Sequence, residues 1–200
     1  MDRADVGELF LIAPMANVGS IISLGILSHT QAARVPHRSV ALASVQDRRE
    51  RVRVSPRRML HDYANLYFCA RNPTMYYIVN HNQIDDVCLL RISPDVLDLP
   101  DVVVTDRNAA SGGMSRFDPP AVGLPLIDFD DVHARYWTHP GNPAAEWDHS
   151  RRKCAEVLVP GKVEPGFILG AYAPTRPGLA AAQAAMPGWD VRLAPYPFFR

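Results

Sequence analysis

Eighteen prolines and twelve glycines run through 200 residues, and they constrain the fold more than any other feature of the chain. Proline fixes φ and removes a backbone donor, and glycine opens the backbone to turns, so a bundle of long unbroken helices is excluded. What remains is a loop-rich α+β fold of short elements. Apolar residues make up 48% and charged residues 21%, a balance that buries a core and argues against disorder. No internal repeat or linker divides the chain, so a single domain over residues 1–200 is expected.

The apolar runs place the elements. Leu9 to Ile12 reads as a first strand, and the spacing of Met15, Val18, Ile21, Ile22 and Leu24 predicts a helix stopped by Gly25. Residues 29–58 are polar and rich in arginine, with a short helix through Val45 to Arg51. Tyr67 to Cys69 reads as a short strand, Asn72-Pro73 as a helix entry, and Val87 to Ile92 as a buried strand. Ser93-Pro94-Asp95 has the capping chemistry of another short helix. A strand follows at Val102 to Thr105, then a helix from Asp128 to Tyr136 with three aspartates at the positive end of its dipole. Thr138 to Ser150 reads as a mobile loop. Strands at Ala155–Val159, Phe167–Tyr172 and Val191–Leu193 complete the pattern, the last two separated by an alanine-rich helix from Leu179 to Met186. Strands scattered among short helices favour an antiparallel or split-sheet core over a doubly wound fold.

Basic and acidic residues balance at 21 each, which argues against a general nucleic-acid binder. Their distribution is uneven. Arg34, Arg38, Arg48, Arg49, Arg51, Arg53, Arg57 and Arg58 crowd one stretch against Asp47 and Glu50 alone. Such a stretch suits a polyanionic ligand and equally suits a solvated helix. Cys69, Cys88 and Cys154 are odd in number and lack metal-ligand spacing, so neither a disulfide framework nor a zinc site is expected. The apolar run near the start is too short to span a bilayer and follows acidic residues, so a soluble cytoplasmic protein is expected.

Nucleotide-loop, serine-hydrolase and zinc-protease signatures are missing, and with them Rossmann redox chemistry, P-loop hydrolysis and zinc proteolysis lose their usual signals. One carboxylate stands out. Glu156 opens the apolar run Val157 to Val159 directly behind Arg151, Arg152 and Lys153. An acid at the lip of a strand can be aimed into a cleft, or it can point to water; position alone does not choose.

A set of ordered segments makes the choice. They run through Asn17, Ser20-Ile21, Gly25-Ile26-Leu27-Ser28, Arg38-Ser39-Val40-Ala41 and Val45-Gln46-Asp47-Arg48-Arg49. They continue in Leu60-His61-Asp62-Tyr63, Tyr67-Phe68-Cys69-Ala70-Arg71-Asn72-Pro73-Thr74-Met75-Tyr76 and Val104-Thr105-Asp106-Arg107-Asn108. Ile127-Asp128-Phe129-Asp130, Tyr136-Trp137 and Arg152 to Val159 complete the set. Together they resemble the DarT family of bacterial toxins, NAD-dependent ADP-ribosyltransferases that act on single-stranded DNA.

The resemblance implies the ADP-ribosyltransferase fold, split antiparallel sheets around an NAD cleft with short helices. It implies Glu156 as the catalytic glutamate, with Arg49 assisting beside the nicotinamide riboside. It further implies a donor site drawn from Asn17, Arg49, Tyr63, Tyr67, Phe68, Arg71 and Tyr76, with Phe68 also readable as core. Arg48, Arg51, Arg53, Asn108, Arg151, Arg152 and Lys153 are the residues implied to meet DNA, and the loop before the catalytic strand to recognise the target nucleotide. NAD is the implied co-substrate, no metal is implied, and the partners are single-stranded DNA and a macrodomain antitoxin. One departure is clear. The family's first strand reads Tyr-His-Ile-Thr, whereas this chain has Phe10-Leu11-Ile12-Ala13, and neither Leu11 nor Ala13 can hydrogen-bond through its side chain. Alternative readings keep the fold and change the acceptor to RNA, a free nucleoside or another NAD-derived small molecule, or reduce the chain to a non-catalytic nucleic-acid-binding relative.

Overall fold

The structure, a computed structural model, describes residues 2–81 and 84–200. In chain order its strands are β1 (Leu9–Pro14), β2 (Ile26–Leu27), β3 (Arg53–Ser55), β4 (Arg58–Met59), β5 (Tyr63–Tyr67), β6 (Val87–Ile92), β7 (Val103–Val104), β8 (Glu156–Pro160), β9 (Lys162–Val163), β10 (Ile168–Ala173) and β11 (Asp190–Leu193). The helices are α1 (Val18–Leu24), α2 (His29–Ala32), α3 (Ala43–Glu50), α4 (Pro73–His81), α5 (Pro120–Gly123), α6 (Phe129–His133), α7 (Pro143–Arg152) and α8 (Arg176–Ala185). A seven-stranded sheet runs β11-β10-β6-β1-β5-β8-β7, while β2 with β9 and β3 with β4 form two small ladders.

Neighbours in the large sheet are antiparallel except β10 and β11, which are parallel because α8 carries the chain back across between them. Strand β6 is buried along its whole length between β1 and β10. Its one charge, Arg91, is held by Glu8 at 2.6 Å and Asp190 at 2.6 Å. That pairing makes a cation tolerable inside the sheet.

The feature that positions a site is a weak seam. Strands β1 and β5 meet in register at one pair alone, Phe10 with Tyr67. By contrast, β1 lies beside β6 from Leu9 to Pro14, and β5 beside β8 from Tyr63 to Tyr67. The sheet therefore splits into β11-β10-β6-β1 and β5-β8-β7, hinged at that pair. A cleft opens where the strands diverge, and the split-sheet α+β architecture expected from the sequence is the one observed.

Local chemistry explains the elements around the cleft. Gly25 sits at φ 90°, and a Cβ there would fall 2.3 Å from the Val163 carbonyl oxygen, so only glycine can end α1 against β9 and turn at once into β2. Asn72 caps α4 by accepting from the Met75 N–H at 2.9 Å, and Asp128 caps α6 by accepting from Asp131 N–H at 3.0 Å. The three aspartates near α6 thus serve its N-terminus.

Two expectations need correction. Residues 143–152 are helical, not loop: Asn142 accepts from the Ala145 N–H at 3.1 Å and Pro143 occupies the first turn of α7. The Asn-Pro signal is the same one that opens α4. The strand expected at Tyr67 to Cys69 lies instead at Tyr63–Tyr67, with Tyr63, Ala64, Leu66 and Tyr67 all buried. No helix among the described residues is long and apolar enough to cross a membrane.

Candidate active site

Glu156 is the first residue of β8 and pairs across the ladder with Tyr67, which pairs in turn with Phe10. The carboxylate therefore stands at the hinge of the split. Its backbone is clamped by Thr105: Glu156 N–H donates to Thr105 Oγ1 at 2.9 Å, and Thr105 N–H donates to the Glu156 carbonyl at 2.9 Å. The side chain has no exposed surface. Arg49 donates from Nη1 to Oε1 at 3.1 Å and from Nη2 to Oε2 at 3.0 Å, and the Ala109 N–H donates to Oε1 at 2.9 Å. A buried carboxylate is expensive unless paired and hydrogen-bonded, and here it is both.

Burial on its own would lower the Arg49 pKa, but the facing Glu156 charge and its hydrogen bonds hold it above the ordinary arginine value. Arg49 therefore keeps its charge. Burial and the Glu156 charge push the Tyr67 phenol up, so Tyr67 remains a neutral donor, its Oη 3.5 Å from Thr74 Oγ1. Burial pushes the Cys154 thiol up to about 12, which rules it out as a nucleophile at neutral pH.

Two cavities share Leu11, Ile12, Gln46, Arg49 and Asn65 as a common wall. The first, about 220 Å³, lies between β1, α1, α2 and the segment 35–41, with Asn17, Ser20, His29, Arg38, His61 and Tyr63 in its lining. The second, about 400 Å³, lies between β5, α3, α4, the loop 108–111 and the end of α7. Arg48, Tyr67, Tyr77, Asn108, Ser111 and Arg151 line it. Arg49 is the one charged side chain common to both linings, and it screens the Glu156 carboxylate from them.

The expected donor-site residues divide. Asn17 and Tyr63 line the first cavity and Tyr67 the second. Asn17 spends its amide on a strap, donating to the Arg38 carbonyl at 2.8 Å and accepting from the Arg38 N–H at 2.9 Å. Phe68, Arg71 and Tyr76 lie outside both linings. Phe68 is buried in the core, edge-on to Phe129. Arg71 donates to the Tyr196 carbonyl at 2.7 Å and lies 3.9 Å from the Phe199 ring centre. Tyr76 points outward from α4, while its neighbour Tyr77 faces the second cavity.

The expected DNA-facing residues divide as well. Arg48, Asn108 and Arg151 line the second cavity. Arg151 rests on the Trp147 ring, and burial with the like charges of Arg48 and Arg107 lowers its pKa against the opposing pull of Asp148. Arg51 and Arg53 are exposed beyond the linings, Arg53 donating to the Pro56 carbonyl at 3.2 Å. Arg152 is neutralised by Asp128, Asp131 and Asp148. Lys153 is buried at 1% exposure, donating to the Val132 carbonyl at 2.9 Å. Both spend their charge on partners within the fold.

Neither His29 nor His61 was among the residues expected at the site. The two rings stack at 4.0 Å in the first cavity, with His61 Nε2 3.1 Å from Gln46 Oε1. Burial and the charges of His29 and Arg49 keep His61 below the ordinary histidine value; burial, His37 and Arg49 do the same for His29. Their 32-residue separation gave no local signal. Ala109 escaped because its contribution is a backbone N–H. Among the described residues no group of three His, Cys, Asp or Glu side chains could hold a metal ion.

Residues 10–196 match the family model described as "ssDNA thymidine ADP-ribosyltransferase, DarT". The chain is 30% identical over 162 residues to a DNA ADP-ribosyl transferase of Thermus sp. (strain 2.9), covering 76% of this chain and 73% of that protein. It is 29% identical over 201 residues to a DNA ADP-ribosyl transferase–DNA ADP-ribosyl glycohydrolase fusion protein of Thermosipho africanus (strain H17ap60334), covering 96% of this chain. The chain spans only 49% of that fusion's length. The solved Thermosipho africanus DarTG in complex with ADP-ribose superposes with a TM-score of 0.85 at 26% identity, over 96% of this chain and 51% of that one. Thermus sp. 2.9 DarT in complex with ADP-ribosylated ssDNA has the same fold, with a TM-score of 0.82 at 24% identity over 97% of each chain. The same Thermus protein in complex with NAD+ gives 0.77 at 22% identity, over 97% of this chain and 98% of that one.

Proposed function

The chain belongs to the DarT family of single-stranded-DNA thymidine ADP-ribosyltransferases, and from that premise we propose that it transfers ADP-ribose from NAD to a thymidine base in single-stranded DNA. The observation that carries this reading is the buried Arg49–Glu156 fork at the hinge of the split sheet, its arginine lining both cavities. The donor occupies the first cavity and the target nucleotide the second, so the reacting centre falls at Arg49.

The chemistry suits one carboxylate. As nicotinamide leaves, C1″ of its ribose gains oxocarbenium character, and a fixed negative charge nearby stabilises it more than it stabilises the ground state. Nicotinamide is already a cationic leaving group and needs no proton. Both Glu156 oxygens accept from Arg49, so Arg49 must release at least one of its two bonds for the carboxylate to act. The Ala109 N–H and the Thr105 clamp keep the carboxylate in place while Arg49 re-pairs with substrate. A guanidinium suits that task, since its fork of donors matches a phosphate or a base carbonyl.

Donor contacts are redistributed relative to the family's first strand. Leu11 does reach the cavities but contributes only carbon. Hydrogen bonding in the first cavity can come from Ser20, Gln46, Tyr63, Asn65, His29 and His61, and the two imidazoles, held below their ordinary pKa, are neutral near pH 7 and can both donate and accept. In the second cavity Arg48 and Arg151 receive backbone phosphate, and an unpaired base reaches the pocket without the cost of opening a duplex.

The described chain acts as one ADP-ribosyltransferase-like domain in the cytoplasm, where its three free cysteines stay reduced. Its biological setting is a toxin–antitoxin pair whose antitoxin removes ADP-ribose, as the glycohydrolase half of the Thermosipho fusion suggests. Labelled NAD and short oligonucleotides test the reading. Label passes to strands containing thymidine and not to matched strands lacking it; label on neither, or on RNA alone, overturns it.

A further inference from the structure

We propose that the surface formed by Tyr76, Trp137, Phe199, Tyr196 and Arg71 is a stacking platform for the bases of single-stranded DNA that flank the modified nucleotide. The proposal rests on the reading of the second cavity as the nucleotide site and extends it to the strand beyond. Tyr76, Trp137 and Phe199 meet edge to face, with ring centres 6.1 Å (Tyr76–Trp137), 5.2 Å (Tyr76–Phe199) and 5.9 Å (Trp137–Phe199) apart. The Arg71 guanidinium is layered against Tyr196 at 4.6 Å and Phe199 at 3.9 Å. Tyr76 is 52% exposed and Tyr196 54% exposed, so ring faces here are open to solvent rather than spent on the core.

Three observations point to a nucleic-acid occupant. Charge is the first: among the described residues no carboxylate pairs with Arg71, nor with Arg135, which lies over Tyr136 just before Trp137 in the chain. Aromatic faces with unpaired guanidinium groups suit a polyanion that carries π-faced bases. Continuity is the second. Helix α4 presents Thr74 and Tyr77 to the second cavity and Tyr76 to the platform, and Phe199 packs on the buried cluster that contains Tyr67 and Cys154 of the cavity wall. A strand leaving the cavity over α4 meets the platform next. The third is strain. Phe199 is held at φ 63°, a left-handed conformation disfavoured for an aromatic residue, with its neighbour Phe198 fully buried as an anchor and the Tyr196 carbonyl tied to Arg71 at 2.7 Å. The fold thus over-determines an orientation that puts the Phe199 ring among the platform aromatics.

The test compares a minimal thymidine oligonucleotide, just long enough to be modified, with the same sequence extended on either flank. Binding is read by fluorescence anisotropy without NAD, so it stays informative whether or not transfer occurs. Wild type binds the strand extended on one flank more tightly. Tyr76→Ala and Tyr196→Ala each weaken that binding by roughly 5- to 100-fold while leaving the minimal oligonucleotide unaffected, the range expected for one lost base–aromatic stack. Tyr76→Trp, which keeps a stacking face, retains the flank advantage, a rescue that a purely structural role does not require. A Trp137→Phe variant loses part of the fluorescence quenching that the extended strand produces in wild type. Full retention of the flank advantage by the alanine variants overturns the proposal, including the case in which the platform serves a protein partner. If wild type binds flanked DNA through the platform yet transfers nothing, the reading of the activity fails and this one stands.

Discussion

Glu156 and Arg49 show how a functional pair can also be structural. Both are buried, and the arginine forks onto both carboxylate oxygens. Removing one partner leaves the other charge without compensation, so Glu156→Gln should lose transfer and also lose about 3 kcal/mol of unfolding free energy. Urea denaturation checks this; an unchanged midpoint would show that the pair is far wetter than described. The sequence marked Glu156 through its place before an apolar strand, and the family's ordered segments marked Arg49. His29 and His61 were not legible, because only the tertiary fold stacks them. Their behaviour is testable through pH. Burial holds both folded values below 6.5, so the unfolded chain takes up protons first as pH falls, and stability drops from about pH 6.5 downward until the folded imidazoles protonate too. A His29→Gln/His61→Gln double variant should flatten that slope in a stability series between pH 7 and pH 5. An unaltered slope would assign the acid sensitivity elsewhere.

At the scale of elements, local chemistry was a good guide wherever a cap or an apolar run declared itself. Strand β6 was expected at Val87–Ile92 and found there, and Asn72-Pro73 opened a helix as its types require. The same Asn-Pro signal at Asn142-Pro143 was outweighed by the surrounding proline and glycine, and α7 was read as loop. The consequence is functional. As a helix, α7 brings Arg151 to the second cavity but turns Arg152 onto three aspartates and ends in a buried Lys153. Three adjacent cations that look equivalent in sequence take three different fates. Asn142→Ala should cost about 1 kcal/mol of stability through loss of the cap, and it should also reduce DNA affinity by loosening the helix that carries Arg151. Gly25→Ala should cost more than about 1 kcal/mol, since the added Cβ meets a carbonyl oxygen at a positive φ. Chemical denaturation measures both, and a neutral outcome for Gly25→Ala would contradict the described entry into β2.

For the whole molecule, a net charge of zero conceals a division of labour. Much of the positive charge is spent inside the fold or on surface pairs, and only a few guanidinium groups face the second cavity. Binding of single-stranded DNA should therefore be salt-dependent with a modest slope. Arg48→Gln and Arg151→Gln should each lower the slope of log K against log salt by about 0.7, whereas Arg152→Gln should leave the slope unchanged. A drop in slope for Arg152→Gln would mean that its three carboxylate partners release it on binding. The split sheet ties these scales together: one registered pair between β1 and β5 sets the hinge, the hinge sets the cleft, and Glu156 lies on the same rung. The measurement that bears most directly on this account is the rate of ADP-ribose transfer to a thymidine oligonucleotide by wild type and by Glu156→Gln at saturating NAD. A loss of at least about a thousandfold with the protein still folded is the predicted result, and a variant rate within a few-fold of wild type would contradict it.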